Sequence, residues 1–181
     1  SSLMAQTYSN FKVLLVDNTS TDGSVRYVQS KFPSVEILQN NDNWGFAIAN
    51  NIGILHCLRK NAQFLFLLNN DTMIDDENLI SKLVDTAQKG KDIGIVGPKV
   101  LLLRNRKIIQ DIGITCDIMG FPAGLHSGEL DSDEHKGCRE VFGVSGCAML
   151  IRTNIFQKVG YFDPDFFMFM EDIDLCWRTR L

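Results

Sequence analysis

The chain has 181 residues, 45% of them hydrophobic and 22% charged, a composition ordinary for one globular domain with a single buried core. The 22 acidic and 18 basic residues give a net charge of −4, and the basic residues are scattered, which argues against a nucleic-acid binder. No apolar run approaches the ~20 residues of a membrane span, and residues 1–10 lack the basic region and long apolar core of a signal peptide.

The continuous apolar run at 13–16, VLLV, predicts a strand covered on both faces. It ends at Asp17-Asn18, and Ser20 or Thr21 is placed to cap a helix that runs to Phe32 and stops at Pro33. A short strand at 35–38 follows, then a polar turn at 40–45. Residues 46–59 carry Phe46, Ala49, Ile52, Leu55 and Leu58 at helical spacing. FLFLL at 64–68 predicts a second buried strand. Asp75 or Asp76 then caps a helix bearing Leu79, Leu83, Val84 and Ala87, closed by Gly90. A strand at 93–96 stops at Gly97-Pro98. This alternation predicts an α/β protein with a mostly parallel sheet and helices on both faces. Residues 115–140, rich in Gly, Asp, Ser and His, read as a loop over the site. Residues 141–152 return to strand, and Thr153 caps a short helix ending at Gly160.

In open α/β sheets ligands bind beyond the carboxyl ends of the strands, where Asp17 and Asp71 lie. An Asp after a strand serves equally well as a turn or cap residue. The segment after Asp17 is not an EF-hand, because its sixth position is Asp22 and its twelfth is Val28. No glycine-rich phosphate loop is present. His56, His126 and His135 suggest no catalytic order, and His56 reads as structural. The five cysteines form no Cys-x-x-Cys pair, so reduced, mostly buried thiols of a cytosolic protein fit best. The densest chemistry is FDPDFFMFMEDIDLCWR at 162–178, with Asp163, Asp165, Glu171, Asp172 and Asp174 among aromatic residues and Met. Carboxylates there are solvated, paired or bound to a cation. A carboxylate site without phosphate-binding glycines can hold a diphosphate through Mg2+ or Mn2+.

Five segments in order carry a resemblance: VLLVDNTSTDGS (13–24), NWGFAIANNIG (43–53), FLFLLNNDT (64–72), VSGCAMLIR (144–152) and GYFDPDFFMFMEDIDLCWR (160–178). Together they resemble the family 2 glycosyltransferases, in particular the bacterial rhamnosyltransferase-like branch. The resemblance implies the GT-A, nucleotide-diphospho-sugar transferase fold, with a mostly parallel central sheet flanked by helices. It implies one domain over 1–181, with a nucleotide-binding part at about 1–100 and an acceptor-side part at about 101–181. The family's opening strand and its last strand and helices have no counterpart here. The chain therefore reads as a fragment whose sheet is incomplete at the N-terminal strand, less stable than a longer form and prone to self-association.

By the same resemblance, Asp17, Asn18, Asn43, Asn51 and Asn70 line the nucleotide pocket, although Asn51 could equally hold a loop. Asp71 binds the metal, Mg2+ or Mn2+. Asn69 and Asn70 stand where relatives carry a further acid, which leaves one firm carboxylate ligand. Asp172 is the catalytic base, and Gly146 and Glu171 lie on the acceptor side. The implied activity is inverting transfer from a dTDP- or UDP-sugar, rhamnose being the sugar the branch favours, to a saccharide or lipid-linked acceptor. It implies a cytoplasmic enzyme in peripheral contact with the inner face of a membrane. Two rivals remain. One is a nucleotidyltransferase, which needs a glycine-rich basic loop that is absent. The other is a non-catalytic sugar- or nucleotide-binding relative of the same fold.

Overall fold

The structure, a computed structural model, describes residues 2–181. Its first hundred residues follow the predicted alternation. Strand β1 (Leu14–Asp17) is followed by helix α1 (Ser24–Lys31), β2 (Glu36–Gln39), α2 (Gly45–Leu58), β3 (Phe64–Leu68), α3 (Leu79–Gln88) and β4 (Ile95–Val96). The second half holds β5 (Val100–Leu102), β6 (Asn105–Asp111), β7 (Ile114–Cys116), β8 (Pro122–Gly124), β9 (Ala148–Arg152), α4 (Ile155–Val159) and α5 (Glu171–Arg180).

The sheet is mixed, which refines the expectation of a mostly parallel one. β1 and β2 pair in parallel, while β9 runs antiparallel between β3 and β4. β3 and β4 thus share a direction but are separated by a reversed strand. Side-chain alternation explains why β3 is apolar throughout and β9 is apolar up to Ile151. Leu65, Leu67, Met149 and Ile151 face a core built with Ala47 and Ile54 of α2, Ile155 and Phe156 of α4, and Leu175 and Cys176 of α5. Phe64, Phe66 and Leu150 face the other way, onto Ile80, Leu83, Val84 and Ala87 of α3. Each such buried aliphatic side chain contributes roughly 1.5–3 kcal/mol.

Several boundaries differ from expectation, each for a local reason. α1 begins at Ser24, after Gly23 in the left-handed region (φ 87), and the Asp22 carboxylate accepts the Ser24 amide and hydroxyl. Ser20 is held instead in a turn, its amide bonded to the Asp17 carboxylate. Asn78 precedes α3, with Asp76 accepting the Asn78 amide. Residues 141–147 are not strand, and β9 starts at Ala148. Thr153 bonds back to Gln63, and Asn154 precedes α4. The expected loop at 115–140 contains β7 and β8 and a 3-10 turn at Asp133–His135. Ahead of β1 the described residues form a 3-10 turn at Ser2–Ala5. All five cysteines are free thiols, but only Cys176 is buried; Cys57, Cys116 and Cys147 are half-buried and Cys138 is exposed, so the expected burial is met in part. No helix among the described residues is long and apolar enough to cross a membrane.

Candidate active site

The site forms where the end of β3, the turn before β9 and the start of α5 meet. Asn69, after β3, donates its amide to the Cys147 carbonyl at 2.9 Å, which sets the Asn69–Asp71 turn beside residues 146–147. The Gly146 amide donates to Asp172 Oδ2 at 2.7 Å. A side chain at 146 would meet the Asp172 carboxylate at 3.3 Å and the Phe46 ring at 3.5 Å, so only glycine allows this approach without displacing a neighbour. Asp172 Oδ1 also accepts the Ile173 amide at 2.8 Å. Glu171, Asp172 and Asp174 occupy the first turn of α5, where the helix dipole favours negative charge.

The loop entering α5 is strained. Phe169 and Met170 both take φ of 74°, a region that costs side-chain-bearing residues roughly 1–2 kcal/mol each. The strain is held by tethers at both ends. The Phe46 amide donates to the Phe167 carbonyl at 2.7 Å, and the Asp174 amide to the Met170 carbonyl at 2.9 Å. Gly45, with φ 73, packs so tightly on Phe167 that a Cβ would strike its carbonyl. The acidic motif of α5 is thereby coupled to the turn before α2.

That turn is the next wall of the site. Asn18 donates to the Gly45 carbonyl at 3.0 Å and to Asn43 Oδ1 at 3.4 Å, and accepts from the Asn40 side chain at 2.8 Å. Asn43 also accepts the Gly45 amide at 3.1 Å. The structure therefore joins Asn18 and Asn43 across the ends of β1 and β2. Asp17 lies buried beneath them, its carboxylate oxygens accepting the Ser20 amide at 3.2 and 3.3 Å. Asn70 and Asp71 are exposed in the turn after β3. Asn51 does not join this group. Its amide donates to the Phe162 carbonyl at 2.8 Å and accepts the Phe162 N–H at 3.0 Å, the loop-holding alternative. It lines an open groove of about 530 Å³ with Tyr161, Pro164 and Arg178, which contains none of Asp17, Asp71 or Asp172.

Glu171 is buried, and its Oε2 has no hydrogen-bond partner among the described residues. Burial, with the charge of Asp172 added, pushes its carboxyl above the usual range. A fifth carboxylate escaped the sequence reading. Asp111, at the end of β6, is buried, accepts the Gly113 amide at 3.3 Å, and is raised chiefly by burial and further by Asp172. Its signal was the pair Ile109 and Asp111 at strand spacing, which puts both on the inward face. The thiol of Cys147 is raised mainly by its own burial, and also by the charges of Asp111, Asp172 and Asp71. These three acids, from three distant segments, thus share one electrostatic neighbourhood. The geometry supplies a held carboxylate, Asp172, at the mouth of a glycine-lined approach, with the exposed Asp71 nearby.

One exposed carboxylate flanked by Asn69 and Asn70 is the donor set that suits Mg2+ or Mn2+, which take one or two protein carboxylates and complete their shell with phosphate oxygens. Among the described residues Asp71 belongs to no cluster of three ligating side chains.

Comparison with known proteins gives an independent view. The profile described as Glycosyl transferase family 2 matches residues 1–160. A low-salt glycan biosynthesis hexosyltransferase of Haloferax volcanii is 26% identical over 174 residues, covering 92% of this chain and 52% of that protein. An N-acetylglucosaminyl-diphospho-decaprenol L-rhamnosyltransferase of Mycobacterium tuberculosis is 28% identical over 203 residues, covering 96% of this chain and 62% of that protein. A mannosyltransferase of Pyrobaculum calidifontis, solved in complex with GDP-Man and Mn2+, aligns with a TM-score of 0.64 at 16% identity, over 96% of this chain and 44% of that structure. The chain thus spans about half the length of the proteins it resembles.

Proposed function

We propose, from the premise that this chain belongs to glycosyl transferase family 2 and has its GT-A fold, that it is an inverting transferase using a nucleoside-diphosphate sugar. The observation that carries the reading is the Gly146 amide bonded to Asp172 at 2.7 Å, beside the turn that bears Asp71. Asp172 is the catalytic base. Its carboxylate takes the proton of the acceptor hydroxyl. The hydroxyl oxygen then bonds to the anomeric carbon as the bond from that carbon to the diphosphate oxygen breaks. The nucleoside diphosphate leaves with the electron pair, and one displacement inverts the centre.

Asp71 would hold a divalent cation, which supplies charge neutralisation at the diphosphate when bound. Asn18 and Asn43 shape the nucleotide side with Asp17 beneath them, and Asn70 adjoins the diphosphate. Asn51 serves that side indirectly, by fixing the Phe162 segment. Gly146 and Glu171 form the acceptor side.

The donor is a dTDP- or UDP-sugar, rhamnose first, and the acceptor a saccharide or lipid-linked saccharide. Similarity to the mycobacterial rhamnosyltransferase, whose name specifies a lipid diphosphate, supports this choice. The exposed Ile118, Met119 and Phe121, between β7 and β8, suit peripheral contact with a membrane at its cytoplasmic face.

Asp172→Asn tests the base. Transfer should fall by about 10²–10⁴, the usual worth of a positioned general base, with nucleotide affinity unchanged. Undiminished transfer would overturn the assignment. Tight nucleotide binding by the wild-type chain, with no transfer from any of these donors, would leave the non-catalytic relative.

A further inference from the structure

The loop at 125–136 folds into two small turns against β6. The Gly128 amide and the Glu129 carbonyl pair with Ile109, the Asp131 amide bonds the Lys107 carbonyl at 2.7 Å, and Leu130 bridges Ile108. The first turn closes with the Glu129 amide on the His126 carbonyl, and His126 itself adopts φ 58. The second is the 3-10 turn whose last residue is the buried His135. The two turns bring three ligating side chains together. His126 Nδ1 lies 3.1 Å from Glu129 Oε2, and His135 Nε2 lies 3.6 Å from the same oxygen. The three ligating atoms all fall within 4.8 Å of one another.

We propose that His126, Glu129 and His135 form a transition-metal site, with Zn2+ as the ion that suits it best. Tetrahedral zinc with bonds of about 2.0–2.1 Å needs ligand atoms roughly 3.3 Å apart, and the two imidazole–carboxylate separations, 3.1 and 3.6 Å, bracket that value, while the two imidazoles lie within 4.8 Å of each other. Two imidazoles and one carboxylate favour zinc over Mg2+ or Mn2+, which prefer all-oxygen shells. The site is therefore chemically distinct from Asp71.

A ligating histidine usually donates its second ring N–H to a fixed acceptor. His135 Nδ1 has two near it, the Ser132 hydroxyl at 3.3 Å and the Asp131 carboxylate at 3.8 Å. Asp131 is anchored by Lys99 at 2.7 Å, which holds its carboxyl below the usual range. At present Nδ1 accepts the Ser132 amide at 3.2 Å, so metal on Nε2 selects the other tautomer and turns Nδ1–H toward those acceptors. Three protein ligands leave a fourth position for water.

The site would pin the 125–136 loop to β6. β6 ends at Asp111, whose Cβ lies 3.1 Å from where a side chain on Gly124 would stand. Occupancy would thus stiffen the wall behind a buried acid of the candidate active site.

The test is direct binding to the whole chain, stripped with chelator, in the Asp71→Ala background so that the other metal position is silent. One equivalent of Co2+ should give visible d–d bands of a four- or five-coordinate ion, and Zn2+ should displace it. His126→Asn and Glu129→Gln should each weaken Zn2+ at least tenfold. Asn tolerates the left-handed backbone at 126, and metal-free melting of that variant checks the fold. Absence of Co2+ bands, or equal affinity in the His126 variant, overturns the proposal. So does an NMR titration in which both imidazoles gain protons against Glu129 and ignore Zn2+, because the cluster is then an ion pair only.

Discussion

At the scale of single residues, the two buried acids beside Asp172 make the site pH-sensitive. Asp111 and Glu171 both have carboxyls raised by burial. A raised acid binds its proton more tightly in the folded state than in the unfolded one. Stability is therefore fully present below the ordinary carboxylate range and falls as pH rises through the folded value. Asp111→Asn keeps an acceptor for the Gly113 amide and removes the charge. It should melt higher than wild type at pH 7, by a few degrees, and the difference should vanish near pH 4. A variant less stable at both pH values would mean that the ionised carboxylate has a stabilising partner. Asp71 acts at the opposite extreme, exposed and with no side-chain hydrogen bond among the described residues. UDP, dTDP or GDP with Mn2+ should raise the melting temperature roughly 5–10 °C at ~100 times Kd. Asp71→Ala should abolish the metal-dependent part. A shift indifferent to Mn2+ would remove Asp71 from the metal.

At the scale of elements, the apolar strands and amphipathic helices of the first half were legible, because β3 and α3 show unbroken or periodic hydrophobicity. Boundaries were less legible where a polar side chain competes for the backbone, as Asp17 and Asp22 do ahead of α1. β8 consists of Pro122, Ala123 and Gly124, which carry no strand preference and pair only because β7 lies alongside. β9 starts late because Val144 and Gly146 are held by Cys176 and Asp172 of α5. The five motifs pointed to the site, but the pairing of Gly146 with Asp172 and the arrival of Asp111 depend on contacts between distant segments. The same is true of Arg152, an unremarked residue at the end of β9. Its guanidinium donates to the carbonyls of Ile93, Gly90 and Ala87 and stacks on Phe64 at 5.1 Å. It closes the end of α3 as a cation should. Arg152→Met leaves those part-buried carbonyls without a donor and should cost about 3 kcal/mol, visible as a lower denaturant midpoint at unchanged slope. Lysine should rescue little of it, because one ammonium cannot reproduce the fork.

At the scale of the whole molecule, the sheet is split. β1 pairs only with β2 and β3 only with β9 among the described residues, and α2 packs across both strands. One edge of β1 and one edge of β3 thus present unpaired backbone groups. Neither strand carries the proline, lysine or bulge with which proteins blunt such edges. The 181-residue chain should therefore self-associate by strand pairing. Sedimentation velocity from a few to a few hundred micromolar should show weight-average mass rising with concentration. The cause can be separated from charge effects. Attraction between oppositely charged patches weakens as salt shortens the Debye length to about 3 Å at 1 M. Backbone pairing of apolar strands does not, and screening the net charge of −4 should favour it. Association that persists or grows at 1 M salt excludes attraction between charged patches and is the response expected of pairing through the edges of β1 and β3. A single monomeric species at every concentration, with a high melting temperature, would show that α2 and the flanking loops cover those edges.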